Sequence, residues 1–368
     1  MKYIYNTVLI FAAIFYVFPL QATQWTVSND PERLAQFTSI QDAIDEAESG
    51  DTILILGSST NYTGFTLNKP MVIIGEGMEI SEYSERTRVS SVNIGRQNAT
   101  TSASGSRFIG ISFWSTVNIS GSFSGSNPGE TWLEDIEFDR CAFQSNLNMS
   151  NSSTEYREIT IKNCLFTITS TNIGLSSSAD YQNIIIHNSV FSRGQISSSG
   201  LKDFNGELLI SNSMFLNRTT DVFSNLEGIV VENCIFYLAE PTGARGSVFN
   251  NNLTYICNDN TLPPNVSAGQ PENEGENNII NENPRFTDFP SLGGSFSWNQ
   301  DFTLLPISPA IGAGTGGTNI GLSGGDYPVE VTLPRNSFTP VVISIDLPNS
   351  SVPENGVLQG QIEATIRN

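Results

Sequence analysis

One short phrase recurs through the middle third of this chain. Its clearest copy is Ile159-Thr160-Ile161-Lys162-Asn163-Cys164-Leu165-Phe166, and it returns at 184–191, 208–215 and 229–236. A weaker copy, Ile136-Glu137-Phe138-Asp139-Arg140-Cys141-Ala142-Phe143, precedes them. The small residue of the phrase falls at Cys141, Cys164, Ser189, Ser213 and Cys234, so the steps are 23, 25, 24 and 21 residues. Self-similarity at such a period predicts a stacked solenoid. Each copy is too short for two packed helices. It is rich in Ile, Val and Phe, which suit strands, and its apolar residues alternate with a period of two. Leucine-rich repeats have a similar period but need a regular Leu ladder, which is missing here. The expectation is therefore an all-β fold: a right-handed parallel β-helix solenoid with two or three short strands per coil.

In such a stack like positions lie about 4.8 Å apart, one above another. The Ile159, Ile161, Cys164 and Phe166 positions then point inward. Asn163, Asn188, Asn212 and Asn233 mark a corner, because Asn tolerates left-handed geometry and its amide can bond to the next coil. Arg140 interrupts that column, so the 135–143 coil is expected to be distorted or capped by an insertion.

Around this middle the chain falls into order. Residues 7–20 are an apolar run after Met1-Lys2, ending in Leu20-Gln21-Ala22. They read as a signal peptide over 1–22, cleaved after Ala22, which places the mature chain outside the cell or at its surface. No second long apolar stretch exists, so the mature chain is expected to lack a membrane span. Residues 38–48 form a helix: Ile40, Ala43, Ile44 and Ala47 share one face, Ser39 with Asp42 offers a cap, and Gly50 ends it. Then come the strand Asp51-Thr52-Ile53-Leu54-Ile55-Leu56, a turn with Tyr62, and Lys69-Pro70-Met71-Val72-Ile73-Ile74-Gly75-Glu76-Gly77. This opening, a helix that caps the first coil followed by "GDTI" and "KPMVIIGEG", resembles the pectin-lyase-like β-helix superfamily. The resemblance spans roughly residues 25–325. It implies the solenoid fold over 23–327, with closing coils near Phe286, Phe302 and Asn319-Ile320-Gly321. Those coils resemble secreted bacterial β-helix proteins whose C-terminal regions carry alternative anchoring signals. Residues 328–368 alternate as two strands and are read as one immunoglobulin-like hairpin, a short C-terminal β extension.

Charge narrows the partners. Charged residues are 15% of the chain and the net charge is −20, which argues against nucleic acid or an anionic membrane. An extracellular or cell-surface polysaccharide remains, and a monomer is expected. The four cysteines, Cys141, Cys164, Cys234 and Cys257, are expected as free buried thiols, since two of them share one inward column.

The register also gives an outward face. Asp135, Glu137 and Asp139 alternate with inward Ile136 and Phe138. Glu158 should stack on Asp135, Thr160 on Glu137 and Lys162 on Asp139; the next coil adds Asn183, Ile185 and His187. Three functional readings follow. Ca²⁺ held by Asp135, Glu137 and Glu158 would relieve like-charge repulsion, with Lys162 and His187 beside it as catalytic groups. The superfamily resemblance implies a matching lyase scheme, in which the metal binds a uronate carboxylate and a Lys or Arg removes the α proton. No cofactor is demanded by the sequence, and Ca²⁺ is the one it could hold. Alternatively Asp139 and Lys162 are a cross-coil ion pair and His187 a solvated strand residue. Paired carboxylates such as Glu137 and Asp139 would suit glycoside hydrolysis. Third, Ile185, Leu209 and Val230 form an outward apolar column that, with Asp139, would contact substrate or a covering segment such as 328–368. Trp114, Trp132, Tyr156 and Tyr181 could stack on sugar rings or pack corners. Carbohydrate binding without turnover is the leading reading, and a polysaccharide lyase is the runner-up.

Overall fold

The computed structural model describes residues 22–78, 86–98, 100–121, 131–289, 300–329, 341–346 and 361–365. The expected leader therefore lies outside the described residues. The chain winds as a right-handed parallel β-helix of about eight turns. Each rung visits three parallel sheets, one of eleven strands and two of eight, with every neighbour one rung away. The right hand is the sense that parallel crossovers adopt for L-residues. Sheet 1 carries strands such as Trp132–Asp139, Glu155–Lys162 and Ile184–His187. Sheet 2 follows a tight corner with Ala142–Phe143, Leu165–Phe166 and Val190–Ser192. Sheet 3 returns with Val117–Ser120, Leu147–Met149 and Thr171–Leu175.

The register is the one the repeat predicts. Glu137 pairs with Thr160, and Asp139 with Lys162. Lys162 then pairs with His187, and His187 with Ser211. Inside, Phe113, Phe143, Phe166, Phe191, Phe215 and Phe236 form one column, with ring centroids 4.6–5.1 Å apart. Each stacked pair adds about 0.5–1.5 kcal/mol beyond area burial. Tyr156 and Tyr181 are not sugar platforms. They stack inside at 5.2 Å, and their hydroxyls donate to the Ile119 and Met149 carbonyls. The four cysteines are buried free thiols.

The capping helix spans Ile40–Glu46, with Ser39 accepting from the Asp42 amide. Ile40, Ala43 and Ile44 are buried against the first rung. This closes the apolar end of the stack, where open strand edges would otherwise invite pairing.

Three expectations need correction. Arg140 does not distort its coil: it takes the corner's left-handed conformation at φ 52°, and the strand stays in register on both sides. The corner asparagines do adopt that conformation, with φ between 45° and 55°. Asn163 reaches the neighbouring coil, donating from Nδ2 to Asp139, but the later corner asparagines turn to another partner. Asn188 Nδ2 donates to the carbonyls of Leu322 and Gly324, and Asn212 Nδ2 to those of Asn319 and Gly321. Asn233 Oδ1 accepts from the Thr315 amide, and Asn251 Nδ2 donates to the Ala313 carbonyl.

The expected closing coils are thus replaced. Phe286–Asp288 and Asp301–Leu304 pair antiparallel, and residues 308–327 then run back along the corner as a strap. Ile320 and Leu322 of the strap bury against Val190, Met214, Ile235 and Leu253. Gly324 is needed for this fit, since a Cβ there would lie 1.9 Å from the Asn319 carbonyl oxygen. The C-terminal strands Val341–Asp346 and Gln361–Thr365 pair antiparallel as a hairpin. Among the described residues, no helix is long and apolar enough to cross a membrane.

Candidate functional site

Sheet 1 carries the residues that sequence reasoning singled out. Its outward face has two ranks. One runs Arg107, Glu137, Thr160, Ile185, Leu209, Val230 and Val248. The other runs Ile109, Asp139, Lys162, His187, Ser211, Glu232 and Asn250. The stacking is as expected, but the chemistry differs from the expectation at three places.

First, Asp135, Glu137 and Glu158 do not form a group that could hold a metal ion, and Arg107 engages the first two. Asp135 and Glu158 both have φ 51°, so the strand bends there and the period of two is lost. Asp135 is thrown to the corner at 58% side-chain exposure, with Arg107 Nη2 at 3.9 Å. Glu137 stays on the sheet, between Arg107 at 3.2 Å and Lys162 at 3.2 Å. Among the described residues no three His, Cys, Asp or Glu side chains are placed to hold a metal ion. The residues present therefore do not fit the Ca²⁺ ligand set, which requires several oxygens at 2.3–2.6 Å.

Second, Asp139 does not pair with Lys162. It is buried to 7% exposure, bound by Arg140 at 3.0 Å, and accepts from Asn163 Nδ2 at 3.4 Å. Lys162 pairs diagonally with Glu137, and its Nζ lies 4.6 Å from the Tyr327 ring centroid. A carboxylate and an aromatic face thus pin this ammonium between the sheet and the end of the strap.

Third, His187 is not a solvated strand residue. Its Nδ1 is hydrogen-bonded to Ser211 Oγ, and its ring sits 5.7 Å from Tyr327. Burial lowers its pKa below the ordinary 6.5, against the pull of Asp326 and together with the push of Lys162. Burial raises Glu232 in the same rank. Ile185, Leu209 and Val230 do form one outward column, prolonged by Val248 and half-buried. The end of the strap borders this face at Tyr327, and the strap runs along the adjacent corner.

Sheet 3 presents a face that sequence reasoning missed. Its central outward rank runs Thr66, Asn93, Asn118, Asn148, Gly174, Ser197 and Ser224. None of the seven is ionisable. Asn118 Nδ2 donates to Asn93 Oδ1, and Asn148 Nδ2 to Asn118 Oδ1, each at 3.2 Å. An amide has two N–H groups and two acceptor lone pairs. The ladder uses one of each on Asn118, so one N–H and one lone pair remain for solvent or ligand.

Two cavities open on this sheet. One, of about 290 Å³, lies on the first three rungs, lined by Thr66, Asn68, Asn93, Arg96, Asn118 and Ser120 among others. The other, of about 400 Å³, lies at the last rung, lined by Asp221, Thr242, Arg245, Asn265, Ser267 and Gln270. A second phrase in the sequence held the signal: Val92-Asn93-Ile94-Gly95, Val117-Asn118-Ile119-Ser120 and Leu147-Asn148-Met149-Ser150. Each alternates an inward aliphatic with an outward small polar residue.

Two tryptophans are covered by arginines. Trp132 lies under the Arg96 guanidinium at 4.2 Å, and Trp114 under that of Arg88 at 4.6 Å. No family model matches the sequence, and no curated protein matches it. Among solved structures, a crystal structure of pectin methylesterase in complex with hexasaccharide VII is similar to 69% of this chain and 93% of its own, at 13% identity and a TM-score of 0.29. A likeness this distant fixes no residue role.

Proposed function

We propose that this is an exported β-helix protein that holds polysaccharide along sheet 3 without turning it over. The observation that carries the reading is the amide ladder Asn93–Asn118–Asn148 within an uncharged polar rank. A sugar hydroxyl both donates and accepts, and Asn118 at the middle of the ladder keeps one donor and one acceptor for it. The rungs recur at a constant spacing, so a polymer of repeating units meets uncharged groups at each step and amides at three successive ones. Hydrogen bonds to hydroxyls are individually modest, about 0.5–1.5 kcal/mol, so a long floor is what makes such binding useful.

Binding is favoured over β-elimination by the state of the sheet 1 groups. Lys162 is pinned by Glu137 and Tyr327, and Asp135 and Glu137 are both engaged by Arg107. The leader read in residues 1–22 supports export, and the superfamily resemblance supports a carbohydrate role. Two assays on the mature protein test the reading. A glycan array should show retention of at least one polysaccharide. Incubation with uronic-acid glycans should produce no new absorbance from unsaturated ends. Release of unsaturated products would replace this reading by the lyase, and an empty array would remove it.

A further inference from the structure

We propose that the ligand of sheet 3 is an uncharged polyhydroxylated polymer that lies along the rungs and reaches from one cavity to the other. This rests on the reading of sheet 3 as the binding face, and it adds the charge class and the extent of the ligand.

The extent follows from geometry. The two cavities open at opposite ends of one sheet, on the rungs of Thr66–Asn118 and on that of Arg245. The rank runs over seven rungs, three of them in the first cavity and four beyond it, with a bulge after Ser197. Six steps of about 4.8 Å give a floor about 29 Å long. A compact ligand would fill one cavity and leave the rank unused. A polymer uses the rank as well, and the rank has no side chain larger than Asn to block it.

The charge class follows from what the floor lacks. The chain carries a net charge of −20, so a polyanion approaches against a repulsive field. An acidic glycan site would offset this with Lys or Arg on the floor, and none of the seven floor residues is basic. The cations at the margins are already committed. Arg96 stacks on Trp132 and donates from Nε to the Asn98 carbonyl. Arg245 Nε sits 2.6 Å from Glu227 Oε2. In the second cavity the Asp221 carboxylate accepts from Thr242 Oγ1 at 2.5 Å. Arg245 and Asp221 are thus satisfied within the protein, the Arg96 guanidinium on the wall of the first cavity is held by Trp132 and backbone carbonyls, and the rank itself offers a ligand only amide and hydroxyl groups.

The test is a titration of the full chain with oligomer series of neutral glycans (gluco-, manno-, xylo- and galacto-oligosaccharides) and with oligogalacturonides of matching length. A parallel series uses the chain in which Asn93, Asn118 and Asn148 are all replaced by Val. A neutral series should gain affinity with length until the oligomer spans about 29 Å, then level off. Its affinity should stay within two-fold between about 0.05 and 0.5 M NaCl, because screening does not reach an uncharged ligand. Uronides of the same length should bind at least ten-fold more weakly, and the Val variant should lose at least ten-fold for the neutral series. Preference for uronides, or affinity already complete at a disaccharide, overturns this inference while leaving sheet 3 as the binding face, provided the Val variant still weakens binding. Glycan binding that survives the three replacements, or none at all, removes the binding face itself.

Discussion

His187 shows how a single residue can sit on the predicted rung yet behave differently. It stacks between Lys162 and Ser211 as the repeat demands, but the end of the strap roofs it and burial lowers its pKa. A folded-state pKa below the unfolded 6.5 means that the unfolded chain binds the proton first as pH falls. The His187 contribution is therefore fully present above that value and is lost as pH falls toward the folded pKa. Glu232, raised by burial, works in the opposite sense, since its penalty is relieved on acidification. Thermal melts between about pH 7 and pH 5 should show a steeper fall for the native chain than for His187→Gln, and parallel curves would refute the assignment. The cysteines give a second check at this scale. Burial pushes the Cys234 thiol up to about 12 and Cys257 to about 11. All four should react with a thiol reagent only after unfolding, without reduction. The residue-scale surprise is Asp135. Nothing in its letters separates an Asp that alternates from one at φ 51°, because Asp tolerates the left-handed region and no Gly marks the bend. The supposed metal site was lost there.

At the scale of elements, the Phe column and the rungs were legible because inward residues repeat in kind as well as position. Replacing Phe191 by Ala removes a ring stacked on both Phe166 and Phe215. That should cost about 3–5 kcal/mol, measured by denaturant unfolding. The strap was not legible. Its letters, Ser308 to Tyr327, are Gly-rich and carry no period, and the residues that receive it are the same corner asparagines that a coil-to-coil ladder would use. A side-chain amide bonds a strap carbonyl as readily as a neighbouring rung, so sequence alone left the partner open. Replacing both Asn188 and Asn212 by Ala removes four hydrogen bonds to strap carbonyls. Each contributes about 0.5–1.5 kcal/mol, so the double variant should melt several degrees lower. Limited proteolysis should then cut within 308–327 before the solenoid. Digestion identical to that of the native chain would show that Ile320, Leu322 and the bonds to Asn233 and Asn251 suffice to hold the strap.

The whole molecule divides its chemistry between faces. Sheet 1 bears ion pairs and an aliphatic column, the corner bears the strap, and sheet 3 bears a long uncharged floor between two cavities. The repeat revealed the architecture because stacking forces equivalent letters together. It drew attention to sheet 1 because charged and titratable letters stand out, whereas Asn, Ser and Thr are spread through the chain and read as corners. The most direct measurement is a titration of a bound neutral polysaccharide against two variants that alter opposite faces. One replaces Asn93, Asn118 and Asn148 by Val on sheet 3; the other replaces Ile185, Leu209 and Val230 by Thr on sheet 1. Both sets point outward, so both variants should keep the β-rich circular dichroism of the native chain. Sheet 3 as the binding face predicts at least ten-fold weaker binding for the first variant and native affinity for the second; the reverse order, or equal affinity for all three proteins, would contradict it.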